Sequence, residues 1–166
     1  MNHSEPNWNK VIEELGPGLY RYFSGNFAAQ VASDLVQETF IRLIHKFRCG
    51  TFDPAQGNLK NYAYGIARFV RLESRKIRPG FDLMEDDSFA DKVPAVSKAD
   101  ESDPVAHLRW AILQLKPTEQ EIILLMIDGE LSLENISANL DLPLGTVKSH
   151  IHRAKENLRR IMEVPV

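Results

Sequence analysis

A chain of 166 residues has room for one ordinary domain or two small ones. Its apolar fraction of 43% supports folded cores and excludes wholesale disorder, and no run approaches the roughly 18 apolar residues of a membrane span. The formal charge is −3, from 20 Lys and Arg against 23 Asp and Glu, the wrong sign for a nucleic-acid binder on composition alone.

In chain order, the opening "MNHSEPNWNK" lacks a basic start followed by an apolar stretch, so it does not read as a secretory signal. Helical spacing appears repeatedly after it, and no convincing strand alternation does. "SDLVQETFIRLIHKF" (33–47) puts Val36, Phe40, Leu43 and Phe47 on one face and Asp34, Glu38, Arg42 and His45 on the other. Ser33 or Asp34 could cap its start. A loop follows, "RCGTFDPAQGN" (48–58), marked by Gly50, Asp53-Pro54 and Gly57. Its Cys49 is the single cysteine, which excludes an internal disulfide and fits a reducing cytosol; with five scattered His it offers no zinc-finger spacing.

"NLKNYAYGIARFVRLESRKIR" (58–78) reads as a second long helix with Leu59, Tyr62, Ile66 and Val70 as its apolar face, ended by "RPG" at 78–80. Another of its faces lines up Tyr64, Arg68, Arg71 and Arg75. Arginines with an aromatic in line and no acid suit a phosphate backbone with an unstacked base. A solvated surface is the plain alternative.

Charge is unevenly placed. Residues 1–80 hold 11 Lys and Arg against 7 Asp and Glu, residues 81–108 hold 2 against 8, and residues 109–166 hold 7 against 8. The acidity comes from the middle, "FDLMEDDSFADKVPAVSKADESDP" (81–104), which reads as a solvated linker. "EDD" at Glu85–Asp87 lacks the alternating ligands and turn glycine of a hard-cation loop.

Beyond it come short helices. "DPVAHLRWAILQL" carries Val105, Leu108, Ile112 and Leu115. "PTEQEIILLMIDG" opens with Thr118 and Glu121 at capping-box spacing and closes at Gly129. "LSLENISANL" starts from Ser132 as N-cap and buries Leu133, Ile136 and Leu140. After the short turn "DLP", the helix of "GTVKSHIHRAKENLRR" (145–160) packs through Val147, Ile151, Ala154, Leu158 and the following Ile161. It keeps Lys148, His152, Lys155 and Arg159 off that face, with Ser149, Arg153 and Arg160 beyond them. Helix, short turn, basic helix is the layout of a helix-turn-helix reader. A C-terminal helix whose cations suit its dipole is the plainer alternative.

These segments, in this order, resemble a bacterial RNA polymerase sigma factor of the extracytoplasmic-function (ECF) type, within the sigma-70 family. "DLVQETFIRL" resembles the polymerase-binding segment. "FDPAQGNLKNYAYGIARF" resembles the segment that melts and reads the −10 element. "LKPTEQEIILLMIDGELSLENISANLDLPLGTVKSHIHRAKENLRR" resembles region 4, which reads the −35 element. The resemblance implies an all-α fold of two small helical domains, a region 2 bundle at 1–80 and a region 4 helix-turn-helix at 105–166, joined by an acidic flexible linker at 81–104. It implies a cytoplasmic transcription initiation factor, monomeric when free, with no catalytic residue, cofactor, metal or membrane insertion. Its partners would be the β′ and β subunits of core polymerase, promoter DNA and an anti-sigma protein.

Residue by residue, Asp34, Gln37 and Glu38 would dock on the polymerase clamp helices. Phe52, Gln56 and Asn58 would hold a flipped −10 base, and Tyr64, Arg68, Arg71 and Arg75 would follow the separated strand. Lys148, Ser149, His152 and Arg153 would face −35 bases, with Thr146, His150 and Lys155 nearer phosphates. The chain departs from the family at Tyr62, where Trp is usual, at Phe69 for Asn, and at His150 for Arg. An autonomous helix-turn-helix regulator is the rival reading; it leaves the "DLVQETF" face and the 48–58 loop without a role.

Overall fold

The computed structural model describes residues 4–77 and 102–163, and all regular structure among them is helical. The "RPG" stop, "EDD" and the acidic middle as far as residue 101 lie outside the described residues, while its last residues, 102–104, lead into the next helix. The chain divides into two compact units, Met1–Arg71 and Leu72–Val166, with the division inside the third helix rather than at its end.

The first helix, α1 (Trp8–Ser24), is one that the spacing argument does not single out, and it contains the "GPG" of 16–18. Asn7 caps it, accepting from the Lys10 N–H, and the helix runs through Pro17. An interior proline costs about 3 kcal/mol. Leu19, Tyr22 and Phe23 beyond it are fully buried. Each such side chain contributes about 1.5–3 kcal/mol, so together they outweigh the proline.

α2 (Ala29–Arg48) packs on α1 and begins before Ser33 and Asp34, the expected caps. Its N-cap is Ala28, without a side-chain bond. The good helix formers Ala29 and Gln30 and the fully buried Ala32 carry the helix backwards. The packed face is Ala32, Leu35, Thr39, Phe40 and Leu43. Val36 and Phe47 are only half-buried.

α2 closes on Gly50, whose φ is +74°. The Thr51 N–H reaches the Lys46 carbonyl and the Gly50 N–H that of Phe47, both at 3.1 Å. A Cβ on Gly50 would meet nothing within 4 Å, so conformation alone sets its cost. Gly50→Ala should therefore destabilise the first unit by about 1–2 kcal/mol. Thermal unfolding should register this as a fall of roughly 4–8 °C per kcal/mol.

A 3-10 turn (Pro54–Gln56) follows, capped by Asp53, which accepts from the Ala55 N–H at 2.9 Å. Asn58 accepts from the Asn61 N–H at 2.8 Å and so starts α3 (Leu59–Ile77).

In the second unit, α4 (Pro104–Leu113) is capped by Asp103, which accepts from the Val105 and Ala106 N–H groups. Val105, expected to pack, is 67% exposed; Ile112 and Leu115 are buried as expected. α5 (Pro117–Ile127) is buried on all sides from Glu119 to Leu125, which marks it as the central helix. No capping box forms at Thr118 and Glu121. Pro117 opens the helix behind Lys116, leaving Thr118 inside it, and Glu121 is buried. At the other end Glu130, not Gly129, takes the left-handed backbone, with φ 51°.

Two polar ties fix these helices. Arg109 donates to both carboxylate oxygens of the buried Asp128, one at 2.8 Å. Asn157 donates to the buried Glu119 at 3.1 Å. α6 (Leu133–Leu140) starts from Ser132, which accepts from the Asn135 N–H as expected, and ends on Asp141 with φ 53°. Ser137 then donates to the Leu142 carbonyl, tightening the turn into α7 (Leu144–Glu163). α7 packs on α4, α5 and α6 through Val147, Ile151 and Ala154.

Candidate nucleic-acid interface

α7 separates its faces as its spacing requires. With Val147, Ile151 and Ala154 buried, Lys148, Ser149, His152, Arg153, Lys155, Arg159 and Arg160 are all exposed. Thr146 and His150 are half-buried at the edge of the packed face. At 3.6 residues per turn, Lys148, His152, Lys155 and Arg159 form one flank, and Thr146, His150 and Arg153 form the other. The helix follows α6 and a short turn, the order of elements in a helix-turn-helix reader.

Local bonds shape this surface. Ser149 donates to the Gly145 carbonyl at 3.0 Å, and His152 lies 3.4 Å from Glu156. Arg153 donates to His150 Nδ1 at 3.3 Å. Desolvation first, and then the Arg153 charge, push the His150 imidazole below its ordinary pKa, against a smaller opposing pull from Glu119. Both effects disfavour a proton on His150, whose ring lies within reach of the Arg153 guanidinium.

On α3 the expected stripe does not form. Tyr64, Arg71 and Arg75 are 2%, 1% and 5% exposed, and only Arg68 is half-buried. The buried arc is centred on the fully buried Ala63 and Ala67, which brings Tyr64 and Arg71 inside with Ile66 and Val70. Tyr64 meets Tyr22 edge to face at 5.9 Å, and the Arg71 guanidinium lies 5.4 Å from the centre of the Tyr22 ring. That guanidinium is held by a ring rather than offered to a phosphate. The outward side instead presents Phe69, 60% exposed, with the Arg68 guanidinium 5.9 Å from its ring centre. The small alanines at 63 and 67 were the signal for this phase.

The 48–58 loop is built from internal bonds. Thr51 donates to the Lys46 carbonyl, while Asp53 and Asn58 are spent as caps. Phe52 is not an open platform, because its ring packs on Phe47 at 5.8 Å and on Tyr62 at 5.2 Å. Gln56 closes the 3-10 turn with its backbone; its side chain lies outside the described ones.

The outer face of α2 carries Asp34 and Gln37, both exposed, and the half-buried Glu38. Asp34 accepts from Gln30 at 3.1 Å, and Glu38 pairs with Arg42 at 2.8 Å. Ile41, 62% exposed and one turn from Gln37, gives this polar face an apolar centre that periodicity alone does not single out. Apolar centres ringed by polar groups are the usual anatomy of protein interfaces.

Residues 12–76 match the family model for Sigma-70 region 2, and residues 108–158 match that for Sigma-70, region 4. The ECF RNA polymerase sigma factor SigE of Mycolicibacterium smegmatis is 32% identical over 93% of this chain, which spans 61% of that relative's length. SigW of Bacillus subtilis, another ECF RNA polymerase sigma factor, is 31% identical over 78% of this chain and 74% of its own. The Bartonella quintana sigma factor RpoE, solved in complex with the anti-sigma factor NepR, superposes with a TM-score of 0.67 at 21% identity, covering 96% of this chain and 99% of that one; this likeness shows the fold. Two sigma-70 regions in order, and a relative 31% identical over 74% of its own length, place the chain: it belongs to the ECF RNA polymerase sigma factors.

Proposed function

We propose that residues 1–80 bind core polymerase and the −10 element, residues 105–166 read the −35 element, and residues 81–104 join them as an acidic linker. The observation that carries the reading is the exposed basic face of α7 behind a short turn, in a chain whose α2 presents Asp34, Gln37 and Glu38 to solvent. The acids suit a basic partner, the clamp of the β′ subunit, and region 4 would meet the β subunit. Arg153 and Ser149 read bases on one part of α7, and Lys148 and His152 flank them. Lys155 and Thr146 serve the phosphates, and His150 orients Arg153. Arg68 with Phe69 replaces the four-residue stripe as the surface for the separated strand. The protein works in the cytoplasm and contributes no catalytic group, because polymerase performs the chemistry. An anti-sigma protein holds it in reserve, by analogy with the RpoE–NepR complex.

With a net charge of −3 and two small reading surfaces, the free chain should bind duplex DNA weakly and gain promoter specificity only with core polymerase. Tight sequence-specific binding by the free chain in a gel shift at physiological salt would refute this. Within the holoenzyme, Arg153→Ala should cost roughly 1–3 kcal/mol at one −35 base pair and leave other positions alone. Lys155→Ala should weaken all promoters evenly and flatten the salt dependence. Equal losses from both substitutions on every promoter variant would erase the division between base and phosphate contacts.

A further inference from the structure

Trp8 begins α1, far in sequence from the loop, yet its ring meets Phe47 edge to face at 5.4 Å. Phe47 stacks on Phe52, and Phe52 packs on Tyr62, so a ladder of rings joins α1, α2, the 48–58 loop and α3. At its outer end the Glu5 Oε1 accepts from Trp8 Nε1 at 2.8 Å and from Arg48 Nε at 2.7 Å. Arg48 is the last residue of α2, at the mouth of the loop. One carboxylate thus ties the N-terminal segment to the loop's entry, while the rings tie it to the loop's interior.

All four rings are half-buried and none belongs to the buried core of the first unit, which rests on Leu19, Tyr22, Phe23, Leu43 and their neighbours. The ladder is therefore poorly placed to hold the fold and well placed to hold the loop. A loop with few buried contacts opens at low free energy. Each ring contact adds attraction beyond the area it buries, enough to decide which loop form is populated.

We propose that Trp8 and Glu5 are positioning residues for −10 recognition, holding loop 48–58 in its base-accepting form through Phe47, Phe52 and Tyr62. This rests on the reading of that loop as the −10 reader. Neither residue touches the base. They act by raising the fraction of loops ready to receive it, and a fall of that fraction to about a tenth weakens apparent recognition about tenfold.

The test uses holoenzyme reconstituted from core polymerase and the full chain. Wild-type holoenzyme first selects promoters from a randomised duplex pool. Initiation is then measured on the selected promoter and on single-base variants of both elements. Trp8→Ala should narrow discrimination among −10 bases by about tenfold and leave −35 discrimination and core binding unchanged. Glu5→Ala, which removes an exposed carboxylate and leaves the rings in place, should narrow it in the same direction and by less. Trp8→Phe, which keeps a ring but loses the Nε1–H, should rescue most of the loss. A folded Trp8→Ala chain with full −10 discrimination overturns the proposal, and so does an equal loss at both elements. If the wild-type pool shows no −10 preference, the reading of the loop falls and the brace with it; if it does and Trp8→Ala keeps it, only the brace falls.

Discussion

Reversing two charges on α2, Asp34→Lys with Glu38→Lys, should abolish transcription by a chain that still folds. Neither residue belongs to the packed face of Ala32, Leu35, Thr39, Phe40 and Leu43. What the fold loses is the Gln30–Asp34 hydrogen bond and the Glu38–Arg42 pair, both one turn apart on the surface. Such helical ion pairs contribute about 0.3–0.5 kcal/mol. The Glu38→Lys change also sets a second cation beside Arg42, a repulsion of similar size. The melting temperature should therefore move by only a few degrees. At the docked face the arithmetic differs. Like charges brought together at an interface cost several kcal/mol, and each 1.4 kcal/mol is tenfold in affinity, so core binding should fall by about a hundredfold or more. Circular dichroism should be unchanged, and the mutant should fail to compete with wild type for core polymerase. A folded mutant that competes normally would remove α2 from the interface. It would also leave the second unit as a helix-turn-helix with an unexplained companion.

Arg109→Ala should have the largest effect on stability. Its guanidinium, a third exposed, grips both oxygens of Asp128, whose side chain is fully buried at the end of α5. The partial exposure of Arg109 limits what the pair itself contributes. Removing Arg109 nevertheless leaves a buried carboxylate without its bidentate partner, a change that costs about 3–5 kcal/mol in buried pairs, with the lower end expected here. The second unit should lose roughly 10 °C or more in thermal unfolding. Promoter selection should fail through loss of region 4, while competition for core through α2 survives. Asp128→Ala, which frees a cation already near water, should cost less. A milder loss from Arg109→Ala than from Asp128→Ala would contradict this ordering.

Much of this fold is legible from periodicity, and the failures share a cause. α7 is readable because its apolar residues mark the core without ambiguity, and cations at other phases must then point outward. α3 misleads because its core is built on Ala63 and Ala67, residues too small to stand out. The conspicuous stripe of Tyr and Arg is one that the fold turns inward against Tyr22. α1 is hidden because a Gly-Pro-Gly run looks like a break when the burial beyond it cannot be seen. The cap at Ser132 is local, and a local signal carries it. The absence of a capping box at Thr118 is not local, because α5 is buried on all sides and Glu121 goes inward with it. Phe52 has the look of an exposed loop aromatic until Phe47 and Tyr62 are placed around it.

The most direct measurement is run-off transcription by core polymerase on a pool of genomic fragments, with and without the full chain, followed by sequencing of the start sites. The account predicts a small set of starts that depend on the chain. These should share two conserved elements, upstream at −35 and −10, that change together when Arg153 and the 48–58 loop are altered. If the chain left core polymerase's choice of starts unchanged, or bound the same fragments as tightly without polymerase, its assignment as the promoter-specificity subunit would be contradicted.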